Sequence, residues 1–182
     1  MYEIDDKDKV VPLKDVPQSS VGAPLPLVVA DEDQVVLAYY LQAKRPGWDG
    51  RSVRIVDPLT SEEPVALVRF NSCSAHMFGP PNDEAFAGHP LAGRGLHPYG
   101  VFQIDNSSWI RKLERMNSVH SQHNPERFWK LQHLIFLFHD STFECVCRDF
   151  EIRRTQGPIV CLIAEMVRLL ARDAETGGSS FS

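Results

Sequence analysis

Residues 132–148 read QHLIFLFHDSTFECVCR, and this stretch decides the fold because its pattern is that of a β-hairpin. Two runs rich in aromatic and aliphatic residues flank a polar turn at Asp140-Ser141. This turn places Leu137 opposite Glu144, and side chains alternate between the two faces of each strand. One face is then built only from apolar side chains and thiols: Leu134, Phe136, Phe138, Phe143, Cys145 and Cys147.

The opposite face of this hairpin is half apolar and carries an imidazole, His139, and a carboxylate, Glu144. Such a surface is typical of a pocket wall on a sheet. We predict His139 as a general acid or base, Glu144 as its partner carboxylate and Asp140 as a ligand contact, because imidazole exchanges protons near neutral pH. The structural alternative is that Asp140 bonds turn amides and His139 is a strand-end residue. On an open face, Glu144 is an ordinary solvent-side residue.

A long segment without strand or helix periodicity covers residues 79–99 and contains four prolines and four glycines. Loops of this length within a domain are uncommon and are mostly functional or disordered. We predict an ordered rim or lid over the hairpin, with Asn82, Asp83, His89 and Arg94 as ligand contacts. The guanidinium of Arg94 suits a carboxylate or phosphate. Ordinary turn chemistry and solvated surface side chains remain the alternatives.

The remaining pattern predicts an α+β fold. About seven or eight strands joined mostly by short turns indicate a mostly antiparallel sheet. Helices are predicted at residues 108–119, after Asn124-Pro125, and at residues 159–172. The last of these is apolar on most sides, so we expect it to pack across the sheet, with one or two shorter helices beside it.

The domain organisation predicted from the sequence has three parts. Residues 1–24 are polar and proline-containing, which favours an extended or disordered N-terminal arm. Residues 25–173 form a single α+β domain, a normal size for one hydrophobic core. Residues 174–182 are predicted to be a disordered tail.

Composition excludes several classes of function. The chain has 182 residues and a net charge of −5, which argues against a general nucleic-acid-binding protein. No apolar run reaches the roughly 18 residues of a membrane span. The charged start does not resemble a signal peptide. Four cysteines without an export signal indicate free thiols, so we expect a cytoplasmic protein.

The sequence contains no complete motif for a metal or a nucleophile. Cys73 and His76 have C-x₂-H spacing and His120 and His123 have H-x₂-H spacing, but neither pair has the partners of a known zinc site. We predict no metal and name no cofactor. Ser141 lies near His139 but lacks the Gly-x-Ser-x-Gly elbow.

Two functions fit these observations. The first is binding of a small polar molecule, with its enzymatic transformation left open, in a cleft between the 133–148 hairpin and the 79–99 loop. The second is a non-catalytic protein-interaction or regulatory module that uses the long loop, the N-terminal arm and aromatic residues such as Trp48 and Tyr99. Neither function involves nucleic acid or a membrane, and the oligomeric state is left open.

Overall fold

The structure is a computed structural model that describes residues 2–43 and 55–171. Within these ranges the α-helices are α1 (Ser108–Asn117), α2 (Glu126–Trp129) and α3 (Ile163–Leu170). The strands are β1 (Lys9–Pro12), β2 (Leu27–Ala30), β3 (Val35–Tyr40), β4 (Pro64–Asn71), β5 (Ala75–Gly79), β6 (Val101–Asp105), β7 (Gln132–Leu137), β8 (Thr142–Cys147) and β9 (Asp149–Gln156).

These strands form two antiparallel sheets, with orders β1-β6-β7-β8-β5 and β2-β3-β4-β9. The prediction of helices combined with antiparallel strands is confirmed, but the described strands number nine in two sheets instead of seven or eight in one. The reason lies in strands such as β3, where all six consecutive residues, VVLAYY, are buried. A strand that is apolar on both faces must pack against another layer on each side, and here the second sheet is one of these two layers.

The main core lies between the two sheets and contains the apolar face predicted for the hairpin. Leu134, Phe136, Phe138, Phe143, Cys145 and Cys147 all belong to this core. The register differs from the prediction, because Ile135 and not Leu137 lies opposite Glu144. The turn tip is therefore His139-Asp140, one residue earlier than predicted. A register shift of two residues leaves every side chain on its predicted face.

The outer face of the four-stranded sheet is covered by α3. Met166 and Leu169 of this helix pack with Val36, Tyr40 and other strand residues in a second core. The chain enters α3 through a short 3₁₀ turn, Ile159–Leu162. The C-terminal helix thus packs against a sheet, as the sequence predicts.

The outer face of the five-stranded sheet is covered by the N-terminal segment, the 79–99 loop and α1. Leu91 and Leu96 of the loop pack against β6 and β7. Tyr2 stacks on Trp109 with ring centroids 5.2 Å apart, and both belong to one hydrophobic cluster with the β8 residue Val146. The arm predicted for residues 1–24 therefore supplies strand β1 and a buried tyrosine.

Two predictions concern residues outside the described ranges. The predicted tail at residues 174–182 and Trp48 lie outside the described ranges, and the domain limits stay a prediction. No helix within residues 2–43 and 55–171 is both long and apolar enough to cross a membrane.

Candidate functional site

A buried polar network lies where the 79–99 loop and the N-terminal segment pack on the five-stranded sheet. Its five members are Tyr2, His89, Ser107, His133 and Glu144. The Glu144 carboxylate is at its centre. Its Oε2 accepts from the Tyr2 hydroxyl at 2.8 Å and lies 3.0 Å from His133 Nε2. Its Oε1 lies 3.1 Å from His89 Nε2. The carboxylate thus faces hydrogen-bond donors from three separate parts of the chain.

The sheet and the loop place these groups by simple geometry. On the paired strands β7 and β8, His133 lies opposite Val146 and Ile135 lies opposite Glu144. His133 and Glu144 are therefore diagonal neighbours on the same outer face of the sheet. His89 follows a 3₁₀ turn, Phe86–Gly88, that lowers the loop onto this face.

The tautomer of His89 follows from its hydrogen bonds. Its Nδ1 accepts from the Leu91 backbone N–H at 3.1 Å, so this nitrogen carries no proton. Nε2 is consequently the protonated nitrogen and donates to Glu144. His133 has a different second partner, because its Nδ1 lies 2.8 Å from the Ser107 hydroxyl, which can donate or accept.

Electrostatics keep Glu144 ionised despite its burial. Burial alone raises the pKa of the Glu144 carboxyl, but hydrogen bonds from His133 and His89 lower the pKa to about 2. Burial, and then the neighbouring Glu144 charge, raise the pKa of Tyr2, so its hydroxyl stays protonated and donates. Both imidazoles are 0% exposed and the Glu144 side chain is 3% exposed. The network is therefore sealed from solvent in this conformation.

Ser107, His133 and Glu144 have the hydroxyl–imidazole–carboxylate order of a catalytic triad. The Ser107 oxygen, however, caps α1 by accepting from the Ile110 backbone N–H at 3.3 Å, and the residue is 2% exposed. A cavity of about 600 Å³ borders this part of the chain and includes Ser107 and Asn106 in its lining. The Ser107 hydroxyl serves as a helix cap and a partner of His133.

A second group of polar side chains lies where the hairpin tip meets the 79–99 loop. We call Asp83, Tyr99, His139 and Asp140 the junction cluster. His139 Nδ1 lies 3.0 Å from Asp140 Oδ1, and the two side chains are 40% and 84% exposed. The Asp83 backbone N–H donates to the His139 carbonyl at 2.9 Å, which ties the loop to the tip. The Tyr99 hydroxyl donates to Asp83 Oδ2.

The junction cluster holds perturbed titratable groups in reach of solvent. The hydrogen bond to Asp140 raises the pKa of His139, and the Asp83 and Glu84 charges act in the same direction. The hydrogen bond that the Tyr99 hydroxyl donates to Asp83 lowers the pKa of Asp83. The same hydrogen bond raises the pKa of Tyr99 to about 12. Asp83 Oδ1 is buried and has no hydrogen bond of standard geometry with the described residues, although the backbone N–H groups of Asp83 and Glu84 also lower the pKa of this carboxyl. This cluster therefore combines an accessible imidazole with an acceptor that lacks a hydrogen bond of standard geometry.

The structure separates the two residues that the sequence paired as catalytic. Glu144 bonds to the buried network, whereas His139 bonds to Asp140 at the hairpin tip. The register explains the separation, because the tip lies one residue earlier than predicted and His139 forms the turn itself. His89 does reach Glu144, and Asp83 does reach His139 through its backbone.

Two other predicted ligand contacts have local partners. Asn82 Oδ1 accepts from the Ala85 backbone N–H at 2.9 Å, which is turn chemistry. The Arg94 guanidinium donates to the backbone carbonyls of Asp5 and Asp8, at 3.2 Å for Asp8. Arg94 thus holds the N-terminal segment against the loop.

Sequence reasoning missed Tyr2, Ser107 and His133 as members of the network. His133 had a signal, since it shares the mixed face with Glu144. Ser107 had one as the residue before a predicted helix. Tyr2 had none, because it lies 142 positions from Glu144.

Among the described residues, no group of three or more His, Cys, Asp or Glu side chains has the arrangement of a metal site. The Nε2 atoms of His89 and His133 both point at the Glu144 carboxylate, which uses them as donors. Comparison with family models, curated proteins and solved structures gives no match.

Proposed function

We propose that the protein binds a small polar molecule at the junction cluster and that His139 exchanges a proton with it. The observation that carries this proposal is the pairing of an accessible imidazole with Asp83 Oδ1, an acceptor that has no hydrogen bond of standard geometry with the described residues. Buried polar atoms in native proteins nearly always have a partner. A ligand hydroxyl or amine near Asp83 Oδ1 would be such a partner.

The charges of the junction cluster favour a ligand rich in hydrogen-bond donors. Asp83, Asp140 and Glu84 all raise the pKa of His139 and are therefore close enough to act on a bound molecule. Carboxylates accept hydrogen bonds and attract positive charge. Polyols and small amines match this surface better than anions.

In this proposal, Glu144 is a positioning residue. It bonds to His89 in the loop that also carries Asp83 and Tyr99. The buried network thus holds the loop on the sheet, and the loop in turn positions Asp83 and Tyr99 in the junction cluster. The expected cytoplasmic location and the lack of nucleic-acid and membrane partners remain part of the proposal.

A binding screen with matched variants tests the proposal. The probes are a panel of polyols, amino acids and diamines, scored by thermal shift and by NMR titration of the His139 ring. We expect a hit that is weakened at least tenfold by Asp83→Asn and by His139→Gln. The control is His120→Gln, which makes the same substitution at an exposed histidine of the α1–α2 connection. A hit equally affected by the control, or no hit with all proteins folded, contradicts the proposal.

A second candidate is a non-catalytic protein-interaction module, and exposed apolar side chains favour it. Trp129 is 75% exposed, Met116 is 65% exposed and Val119 is 91% exposed, all in or next to α1 and α2. The loop and arm that the sequence offered for this role pack on the sheet instead. If these side chains form an interface between copies, Trp129→Ser converts a dimer to a monomer in sedimentation equilibrium. A wild-type monomer at all concentrations excludes self-association.

A further inference from the structure

We propose that a cavity between α2 and the β8–β9 connection binds the phosphate group of a small organic phosphate ester. This basic cavity has a volume of about 560 Å³, and its lining includes Ser72, Ser74, Asn124, Arg127, Lys130 and Arg148. Volumes of about 300–1,000 Å³ are usual for small-molecule sites. The lining of this cavity shares no residue with the junction cluster, and the inference does not depend on the function proposed above.

Three cations lie at the basic cavity without carboxylate partners. Arg127 belongs to α2, Lys130 follows it, and Arg148 connects β8 to β9. None of these side chains forms a hydrogen bond or ion pair with a described residue. The chain as a whole has a net charge of −5, so this grouping opposes the overall charge. A local excess of unpaired positive charge attracts an anion.

The neutral polar groups of the basic cavity are also suited to an acceptor-rich ligand. The hydroxyls of Ser72 and Ser74 are in exposed residues and bond to no described residue. Asn124 Oδ1 accepts from the Glu126 backbone N–H at 2.9 Å, which leaves the amide NH₂ group available as a donor. Hydroxyls, an amide and cations together can satisfy the several acceptor oxygens of a phosphate.

The basic cavity also has an apolar part, which argues for an organic ester instead of free phosphate. Phe128 and Leu131 contribute to its lining beside the cations. Phe128 offers an aromatic ring on which a flat group can pack. A phosphate ion alone would not make use of these two apolar side chains. Glu126 is the one carboxylate in the lining, and it disfavours ligands with several dispersed negative charges.

Isothermal titration calorimetry with three probes tests the inference: phenyl phosphate, inorganic phosphate and phenol, in a non-phosphate buffer at pH 7.5. Phosphate monoesters are mostly dianionic there. We expect phenyl phosphate to bind more tightly than either other probe, and binding to weaken as sodium chloride is raised. The variant Arg127→Gln/Lys130→Gln/Arg148→Gln should weaken phenyl phosphate binding at least tenfold. Arg168→Gln, an exposed cation on α3, should leave it unchanged.

Each other result overturns part or all of the inference. Phenol binding as tightly as phenyl phosphate excludes recognition of the phosphate, and equal binding of inorganic phosphate excludes a role for the ester group. No heat for any probe at millimolar concentration, or equal loss in Arg168→Gln, rejects the site. If the triple variant fails to fold, Arg148→Gln alone decides, with an expected weakening of about threefold.

Discussion

Removing the Glu144 carboxylate is expected to destabilise the protein strongly. Glu144→Ala leaves three buried donors without an acceptor, from Tyr2, His89 and His133. Leaving one buried donor unsatisfied costs about 1–3 kcal/mol, so the loss of the acceptor of three donors should cost at least about 3 kcal/mol. Glu144→Gln should cost less, about 1–3 kcal/mol, because the amide oxygen still accepts and His133 can move its proton to Nδ1, toward Ser107. Urea unfolding at pH 7 measures both values.

The pH dependence gives an independent estimate of the same contribution. The pKa of Glu144 falls from an ordinary value of 4.5 to about 2 on folding. The ionised carboxylate therefore stabilises the folded state fully above about pH 4.5, and this contribution is lost as the pH falls toward 2. At about 1.36 kcal/mol per unit, it amounts to about 3 kcal/mol. The difference in free energy of unfolding between wild type and Glu144→Gln should shrink over this pH window.

A matched surface variant completes the Glu144 experiment. Glu32→Gln makes the same substitution in the exposed β2–β3 turn and should change the free energy of unfolding by less than about 0.5 kcal/mol. The reasoning is refuted if Glu144→Gln behaves like this control and its effect does not depend on pH. Such a result would mean that the carboxylate is not ionised when folded.

Three further predictions concern other parts of the outer face. Tyr2→Phe keeps the stacked ring but removes a donor to the carboxylate, so it should cost about 1–2 kcal/mol and speed hydrogen exchange in the N-terminal segment; unchanged exchange would contradict this. Gly100→Ala should destabilise by about 1–3 kcal/mol in thermal unfolding, because the new Cβ would lie 2.5 Å from the ring of the buried Phe102, and a neutral effect would show that this ring can move. Asp140→Asn should lower the pKa of His139 measured by NMR, since Asp140 is the main cause of its elevation, whereas an unchanged pKa would remove Asp140 as its partner.

The hairpin shows how much of the fold could be predicted from the sequence. Strand periodicity of two assigns side chains to faces, and this assignment survives a register shift of two residues. The turn position is less well specified, because Asp140-Ser141 and His139-Asp140 are both acceptable polar pairs. The division into two sheets depends on packing between distant strands, which alternation within one strand does not encode.

The candidate site was harder to predict because its members are brought together by tertiary structure. The sequence identified Glu144 as a carboxylate on the half-apolar face of the hairpin and His89, separately, as a ligand contact in the 79–99 loop. Their contact depends on how the 79–99 loop packs on the sheet, and the local sequence pattern does not predict this packing. The pairing of His139 with Glu144 relied on the turn position, and in the structure the shifted turn gives the two side chains different hydrogen-bond partners.

The shared carboxylate makes three distant segments depend on one another. Tyr2 in the N-terminal segment and His89 in the loop bond to different oxygens of Glu144, and His133 bonds to the first of these oxygens. When one donor leaves, the buried charge is less well compensated, and the folded arrangement that brings the other donors to the carboxylate becomes less stable. A protease that cuts between Tyr2 and β1 would therefore loosen the loop that carries Asp83 in two ways, by removing the Tyr2 donor and by disturbing the segment to which Arg94 bonds. A cut near Tyr2 should therefore be detectable as increased mobility of the loop residues that contact the hairpin tip.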